Sequence, residues 1–199
     1  MSRTATITRQ TGETEITLAL DLNGGDISID SGLGFFDHML VSLAAHAGFG
    51  MTLRAKGDLR VDGHHTVEDV GIVFGQALLR ILGDKAGIAR FGQSAVPMDE
   101  ALASAALDVS GRPFLHWSVP ETQERIGSFE ACLSEEFWRA VCLNAGITLH
   151  ITAYGHNAHH ISEAVFKACA KALRDAVKVE GTRVPSTKGD VIYAHHPGD

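Results

Sequence analysis

His159-His160-Ile161-Ser162-Glu163 and His64-His65-Thr66-Val67-Glu68 share one pattern, His-His-x-x-Glu. Each opens an apolar-periodic run that predicts a long helix. On a helix the first His and the Glu are four apart, so they share a face and converge on one point. The second His points about one residue step round, toward a different point. A neutral imidazole and a carboxylate at that spacing suit a divalent transition metal. A lone His-His dipeptide is ordinary surface or core filler. Two copies with Glu at the same offset form a metal-site pattern.

Working outward, the chain makes two similar passes. Strand-like alternation is expected over 5–9 and 15–21. Asn23-Gly24-Gly25-Asp26 predicts a hairpin whose return strand is 27–29. A helix over 35–47 should end at Gly48, and a strand over 51–56 should precede the helix over 66–82, stopped by Gly83. The second pass begins near Ile88. It predicts strands over 101–109 and 114–119, a helix over 133–145 stopped by Gly146, a strand over 147–153 and a last helix over 159–177. Ala47-Gly48 and Ala145-Gly146 lie 98 apart, Thr52-Leu53 and Thr148-Leu149 lie 96 apart, and the His pairs lie 95 apart. The expected architecture is therefore α+β, with two internally duplicated half-domains packed about a pseudo-twofold. Each half is a small mixed sheet with two helices, read as a strand–strand–helix–strand–helix unit. The repeats are expected at about 1–87 and 88–180, in a single domain over 1–199 with a loop tail over 181–199.

The duplication extends the metal inventory. Shifting His38 by 98 residues lands on Glu136, so two metal-capable residues occupy matching places on the two earlier helices. His38, His64, His65, Glu68, Glu136, His159, His160 and Glu163 are eight candidate ligands. That is more than one octahedral ion needs, and it suits two ions with room for water or substrate.

Composition narrows the class. The chain has 199 residues, 45% hydrophobic and 21% charged, as an ordinary soluble domain would. Its net charge of −7 argues against nucleic acid as a partner. No apolar run is long enough for a bilayer, and the first residues lack the apolar core of a secretory signal, so a cytoplasmic location is expected. Cys132, Cys142 and Cys169 sit in apolar helical patterns and are expected to be buried thiols. His150, in an apolar strand pattern, is expected to be a core residue. His195-His196 lies in a Pro/Gly tail and is expected to be exposed.

With these residues assembled, the chain resembles imidazoleglycerol-phosphate dehydratase. The resemblance rests on Phe36-Asp37-His38-Met39-Leu40, His64-His65-Thr66-Val67-Glu68-Asp69, Arg90-Phe91-Gly92, Asp99-Glu100-Ala101 and Asp108-Val109-Ser110-Gly111-Arg112-Pro113. It continues through His159-His160-Ile161-Ser162-Glu163-Ala164, Phe166-Lys167-Ala168 and Pro185-Ser186-Thr187-Lys188-Gly189. It implies a duplicated α+β fold, a homo-oligomer of 24 subunits with sites between them, and two Mn²⁺ per site. It also implies dehydration of imidazole glycerol phosphate to imidazole acetol phosphate in histidine biosynthesis. The implied ligands are His38, His64, His65, Glu68, His159, His160 and Glu163. The implied substrate contacts are Arg90, Arg112, Lys167, Ser186 and Lys188, with His46 a further candidate. An acid near the N-terminus, donated by a neighbouring subunit, maps onto Glu13, with Glu15 the alternative. One position departs from the family pattern, which often carries His where this chain has Glu136. Either that carboxylate ligates Mn²⁺ and adds negative charge, or it points elsewhere and water fills the position.

The chemistry explains the residue types. Dehydration beside an imidazole ring must remove an unactivated proton and expel hydroxide. Two cations on the ring nitrogens would favour the imidazolate, which can push electrons toward the leaving hydroxyl and give a diazafulvene-like intermediate. Glu163, Asp99 and Glu13 are candidate proton carriers. Arg side chains suit the phosphate. Zn²⁺ or another divalent ion would compete with Mn²⁺ for imidazole ligands. Two other functions fit the same metal pattern: a dinuclear metallohydrolase acting on a phosphate ester, and a non-catalytic metal-binding assembly.

Overall fold

The computed structural model describes residues 3–183. Its first half runs β1 (Thr4–Gln10), β2 (Thr14–Asp21), β3 (Ile27–Asp30), α1 (Gly34–Ala47), β4 (Gly50–Gly57) and α2 (His64–Leu82). The second runs β5 (Phe91–Met98), β6 (Ala101–Asp108), β7 (Phe114–Ser118), a short hairpin of β8 (Arg125–Ile126) and β9 (Phe129–Glu130), α3 (Leu133–Ala145), β10 (Thr148–Tyr154) and α4 (Ala158–Ala176). The sheet orders, β1-β2-β4-β3 and β5-β6-β10-β7, are the same pattern twice. In each, the outer strand of the second half-pair lies parallel to its neighbour: β3 to β4 and β7 to β10. This is the duplicated α+β architecture, with helices against each mixed sheet.

The buried faces follow from side-chain alternation. β2 turns Thr14, Ile16, Leu18 and Leu20 inward and leaves Glu15 and Thr17 exposed. β6 turns Ala101, Ala103, Ala105 and Leu107 inward, and this small-residue face lets α4 approach closely. At Gly92 of β5 there is no room for a side chain at all, because a Cβ would sit 1.8 Å from the Ala172 carbonyl oxygen. The helices pair across the halves: α1 packs on α4, and α2 on α3. Gly71 and Gly75 of α2 allow the second contact, since a Cβ there would come 2.7 Å from the Phe137 oxygen or 2.8 Å from the Val141 oxygen. Phe36, Phe74, Phe137, Trp138 and Phe166 fill the space between the helices. Gly48 and Gly146 end α1 and α3 in the left-handed conformation, as their positions predicted.

Several expectations are corrected. Asn23–Asp26 does not form a hairpin, because β4 lies between β2 and β3 and pairs with β2 along all eight residues. Gly50 makes this possible: its backbone passes so close to Gly24 and Gly25 that a Cβ would meet the Gly24 oxygen at 2.9 Å. The strand expected over 27–29 is β3, and the second half contains one strand more than expected, β5, which completes its sheet. The β8–β9 hairpin was also unforeseen. His150 is exposed on β10 and stacks on His116 of β7, ring centroids 5.1 Å apart, because the two strands pair in parallel register there. Cys132 is exposed at the start of α3, whereas Cys142 and Cys169 are buried. No helix among the described residues is long and apolar enough to cross a membrane.

Candidate metal and substrate site

The α1–α4 contact brings His38 to His159 and Glu163. Glu163 Oε2 lies 3.4 Å from His38 Nε2 and 3.2 Å from His159 Nε2. Among the described residues, these are the only three His, Cys, Asp or Glu side chains whose ligand atoms all lie within 4.8 Å of one another. Asp37 fixes the start of α1 by accepting hydrogen bonds from the backbone N–H and hydroxyl of Ser31. The Phe35 ring packs edge-on against His159, centroids 5.2 Å apart. Glu163 itself is buried. Burial alone would raise its pKa, but Lys167, 2.7 Å from Oε1, and His38 outweigh burial and hold the carboxyl below its usual value.

At the head of α4, Asn157 caps the helix by accepting from the backbone N–H groups of His159 and His160. Glu100, in the β5–β6 turn, clamps the same end. Its Oε1 accepts from the backbone N–H of His156 at 3.1 Å and of Asn157 at 2.8 Å. Its Oε2 meets His160 Nδ1 at 2.7 Å. The His160 hydrogen bond and those backbone donors lower the Glu100 pKa to about 2, and the same bond raises that of His160. Asp99, beside Glu100, faces the other nitrogen of the ring, Oδ2 to Nε2 at 3.5 Å.

The first half is arranged alike. His64 Nε2 and Glu68 Oε2 stand 3.8 Å apart on one face of α2. His65 presents Nδ1 to Asp58 at 3.0 Å and Nε2 to Glu13 at 3.7 Å. Asp62 accepts from the backbone N–H of His64 and holds the helix start. Glu13 therefore already faces His65 of its own chain. Glu15 lies across from Lys56 in the β2–β4 register, on the exposed side of the sheet. Glu136 ion-pairs with Arg139 at 3.8 Å and joins no cluster of three ligand atoms among the described residues.

The candidate substrate contacts fall in two groups. Arg90 lies beside Asp108, donating to both of its oxygens at 2.7 and 3.1 Å, and Arg112 reaches the same carboxylate at 3.7 Å. The Arg90 backbone is pinned at φ 73° by bonds to Ala176 and Val109. Lys167 is tied to Glu163 and Met98. His46, near the end of α1, has its pKa lowered by partial burial and then by Lys167, Lys171 and Arg174 of α4. Ser186, Lys188 and His195-His196 lie outside the described residues.

Sequence reasoning gave no role to Asp58, Glu100 or Phe35. A signal existed for Glu100: it immediately precedes β6 as Glu13 immediately precedes β2. None existed for Asp58, a single carboxylate in a loop. The donor set of imidazole nitrogens and carboxylate oxygens fits a divalent transition metal, and the close approach of His38, His159 and Glu163 fits a shared ion.

Known proteins resemble the chain in sequence and in fold. The sequence model for imidazoleglycerol-phosphate dehydratase matches residues 31–173. The imidazoleglycerol-phosphate dehydratase of Gluconobacter oxydans is 56% identical over 193 residues, covering 94% of this chain and 98% of the relative. That of Acidiphilium cryptum is 55% identical over 194 residues, covering 95% and 99%. The crystal structure of the Staphylococcus aureus enzyme superposes with a TM-score of 0.82 at 38% identity, covering 88% of this chain and 99% of that one. The Pyrococcus furiosus structure, a complex with (S)-C348, gives 0.80 at 36%, covering 93% and 100%. The chain belongs to the imidazoleglycerol-phosphate dehydratase family.

Proposed function

We propose that this chain dehydrates imidazole glycerol phosphate to imidazole acetol phosphate, as a carbon–oxygen lyase of histidine biosynthesis dependent on two divalent cations, Mn²⁺ foremost and Zn²⁺ its competitor. The observation that carries the reading is the meeting of His38, His159 and Glu163 from two helices, in a chain of this family. The cations would be held by His38, His64, His65, Glu68, His159, His160 and Glu163, with Glu136 an eighth donor. Bound there, they would act as Lewis acids and favour the imidazolate form of the substrate ring. The remaining work falls to the chain's own groups. Glu163, Asp99 and Glu13 carry protons, Arg90 and Arg112 bind the phosphate with Lys167, Ser186 and Lys188, and His46 contacts substrate. Fixing the phosphate holds the reacting end in register with the proton carriers.

The reading includes a homo-oligomer of 24 subunits in the cytoplasm, with sites between subunits. In its favour, His38, His159, His64 and Glu68 are between 42% and 48% exposed, so a second chain could complete each cluster. We read the chain as one domain of two repeats, about 1–87 and 88–180.

The test is turnover of imidazole glycerol phosphate by metal-stripped protein, with and without Mn²⁺, while free phosphate is followed. Metal-dependent acetol phosphate without phosphate release is expected. Phosphate release would instead identify a metallohydrolase, and absence of product under every divalent metal would leave the non-catalytic assembly.

A further inference from the structure

We propose that Asp58 and Glu100 are positioning residues, each taking the Nδ1 of one second histidine of the His-His-x-x-Glu motifs and so turning that ring's Nε2 outward as a metal donor. The inference rests on the reading of His65 and His160 as metal ligands.

In a neutral imidazole one nitrogen carries the proton and the other the lone pair, and the partner at one nitrogen decides which. A carboxylate can only accept. Asp58, 3.0 Å from His65 Nδ1, and Glu100, 2.7 Å from His160 Nδ1, therefore hold the proton at Nδ1 in both rings. That leaves the lone pair at Nε2, and it fixes the ring plane as well. A second carboxylate lies on the Nε2 side of each ring, at a longer distance: Glu13 at 3.7 Å from His65 and Asp99 at 3.5 Å from His160. Four carboxylates thus separate into two that orient and two that face the reactive side.

Simple inheritance from the duplication does not account for this sorting. Glu13 and Glu100 occupy the same place in their halves, immediately before β2 and β6. Yet Glu100 takes Nδ1 while Glu13 faces Nε2, and in the first half the Nδ1 partner comes from a different loop, after β4. The two halves reach the same ring environment with non-equivalent residues, which points to a demand made by the rings themselves.

Glu100 offers a clean test because its two oxygens have separate partners. In Glu100→Gln, the amide oxygen is retained by the backbone N–H groups of His156 and Asn157, now its two donors. The amide NH₂ then faces His160 Nδ1, as a donor where an acceptor stood. It accepts no proton, so the imidazole must move its proton to Nε2 and lose the outward lone pair. In Asp58→Asn the amide can turn its oxygen to Nδ1, so a smaller effect is expected.

The experiment compares wild-type protein with both variants in two measurements. The first is ¹⁵N NMR of the metal-free, histidine-labelled protein, which reads the tautomer directly. The second is the Mn²⁺ dissociation constant by titration. The expected result is a change of one ring from Nδ1–H to Nε2–H in Glu100→Gln, with Mn²⁺ affinity reduced roughly 10–100-fold. Asp58→Asn should weaken Mn²⁺ less. A merely structural role at the head of α4 would lower the Tm of Glu100→Gln and leave tautomer and affinity at wild-type values, which would overturn the proposal. Wild-type protein that binds no divalent cation would overturn the metal reading as well. Wild-type binding with an unchanged Glu100→Gln overturns this inference alone.

Discussion

His38 and Glu163 stand 3.4 Å apart although 125 residues separate them. Neither repeat holds this contact alone; it exists because α1 of one half packs on α4 of the other. Glu163→Gln keeps the size and hydrogen-bonding reach of the side chain but removes the charge that Lys167 and His38 stabilise. It should leave the circular dichroism spectrum and assembly unchanged and reduce turnover of imidazole glycerol phosphate by about 10²–10⁴. Wild-type turnover in that variant would remove Glu163 from the proton-carrying role.

The α2–α3 crossing is the other seam between the halves, and it has no spare volume. A methyl group at Gly75 would lie 2.8 Å from both the Val141 oxygen and Asn144 Cβ. Gly75→Ala gains helix propensity, by about 1 kcal/mol at most. Overpacking should outweigh that gain, at about 1–3 kcal/mol. The net expectation is a Tm lowered by a few degrees, at about 2–4 °C per kcal/mol for a chain of this size. Differential scanning calorimetry measures it, and a Tm at or above wild type would show that the helices can part at no cost.

Helices were legible in the sequence because their signals are local. The run ending at Gly146 predicted α3 residue for residue, and the two His-His motifs fell at the starts of α2 and α4. Strand pairing was less legible, since pairing is decided by chain segments far apart. The Asn23–Asp26 turn looked like a hairpin, and nothing local announced that β4 would enter between its arms. β5 was missed because Pro97 and Gly92 break an otherwise half-exposed strand pattern, although the duplication demands a counterpart to β1 there. In the site, periodicity found His159 with Glu163, and the repeat offset found His38. Asp58 stayed hidden because a loop carboxylate carries no signature until its imidazole partner is placed, and Glu100 had only its place before β6 to mark it.

The three thiols should separate by burial. Burial pushes Cys142 up to about 12 and raises Cys169 further from reach, while Cys132 is exposed and raised mainly by partial burial, then by Glu121 and Glu130. The thiolate is the reactive form. Native protein at pH 8 should therefore give one thiol equivalent with a disulfide reagent, slowly, and three after denaturation. Cys132→Ser should abolish the native reaction. Two fast equivalents from the native protein would contradict the burial of Cys142 and Cys169.

Asp108 bridges Arg90 and Arg112, and the two arginines differ in how much they give up to it. Arg90 donates two hydrogen bonds to Asp108 and its side chain is 20% exposed, whereas Arg112 touches the same carboxylate at 3.7 Å and is 70% exposed. The Arg112 guanidinium thus retains donors that a phosphate would use under the proposed function, while Asp108 holds Arg90 in place. A hydrogen bond to a charged group contributes about 1.5–3 kcal/mol. Arg112→Gln should then raise KM for imidazole glycerol phosphate by roughly 10–100-fold and weaken inhibition by inorganic phosphate in parallel, with Tm unchanged because the side chain is solvated. Asp108→Asn should act differently: it loosens Arg90, lowers Tm and changes KM less. Steady-state kinetics beside thermal melts separate the two, and an Arg112→Gln enzyme with wild-type KM would assign phosphate binding to other cations.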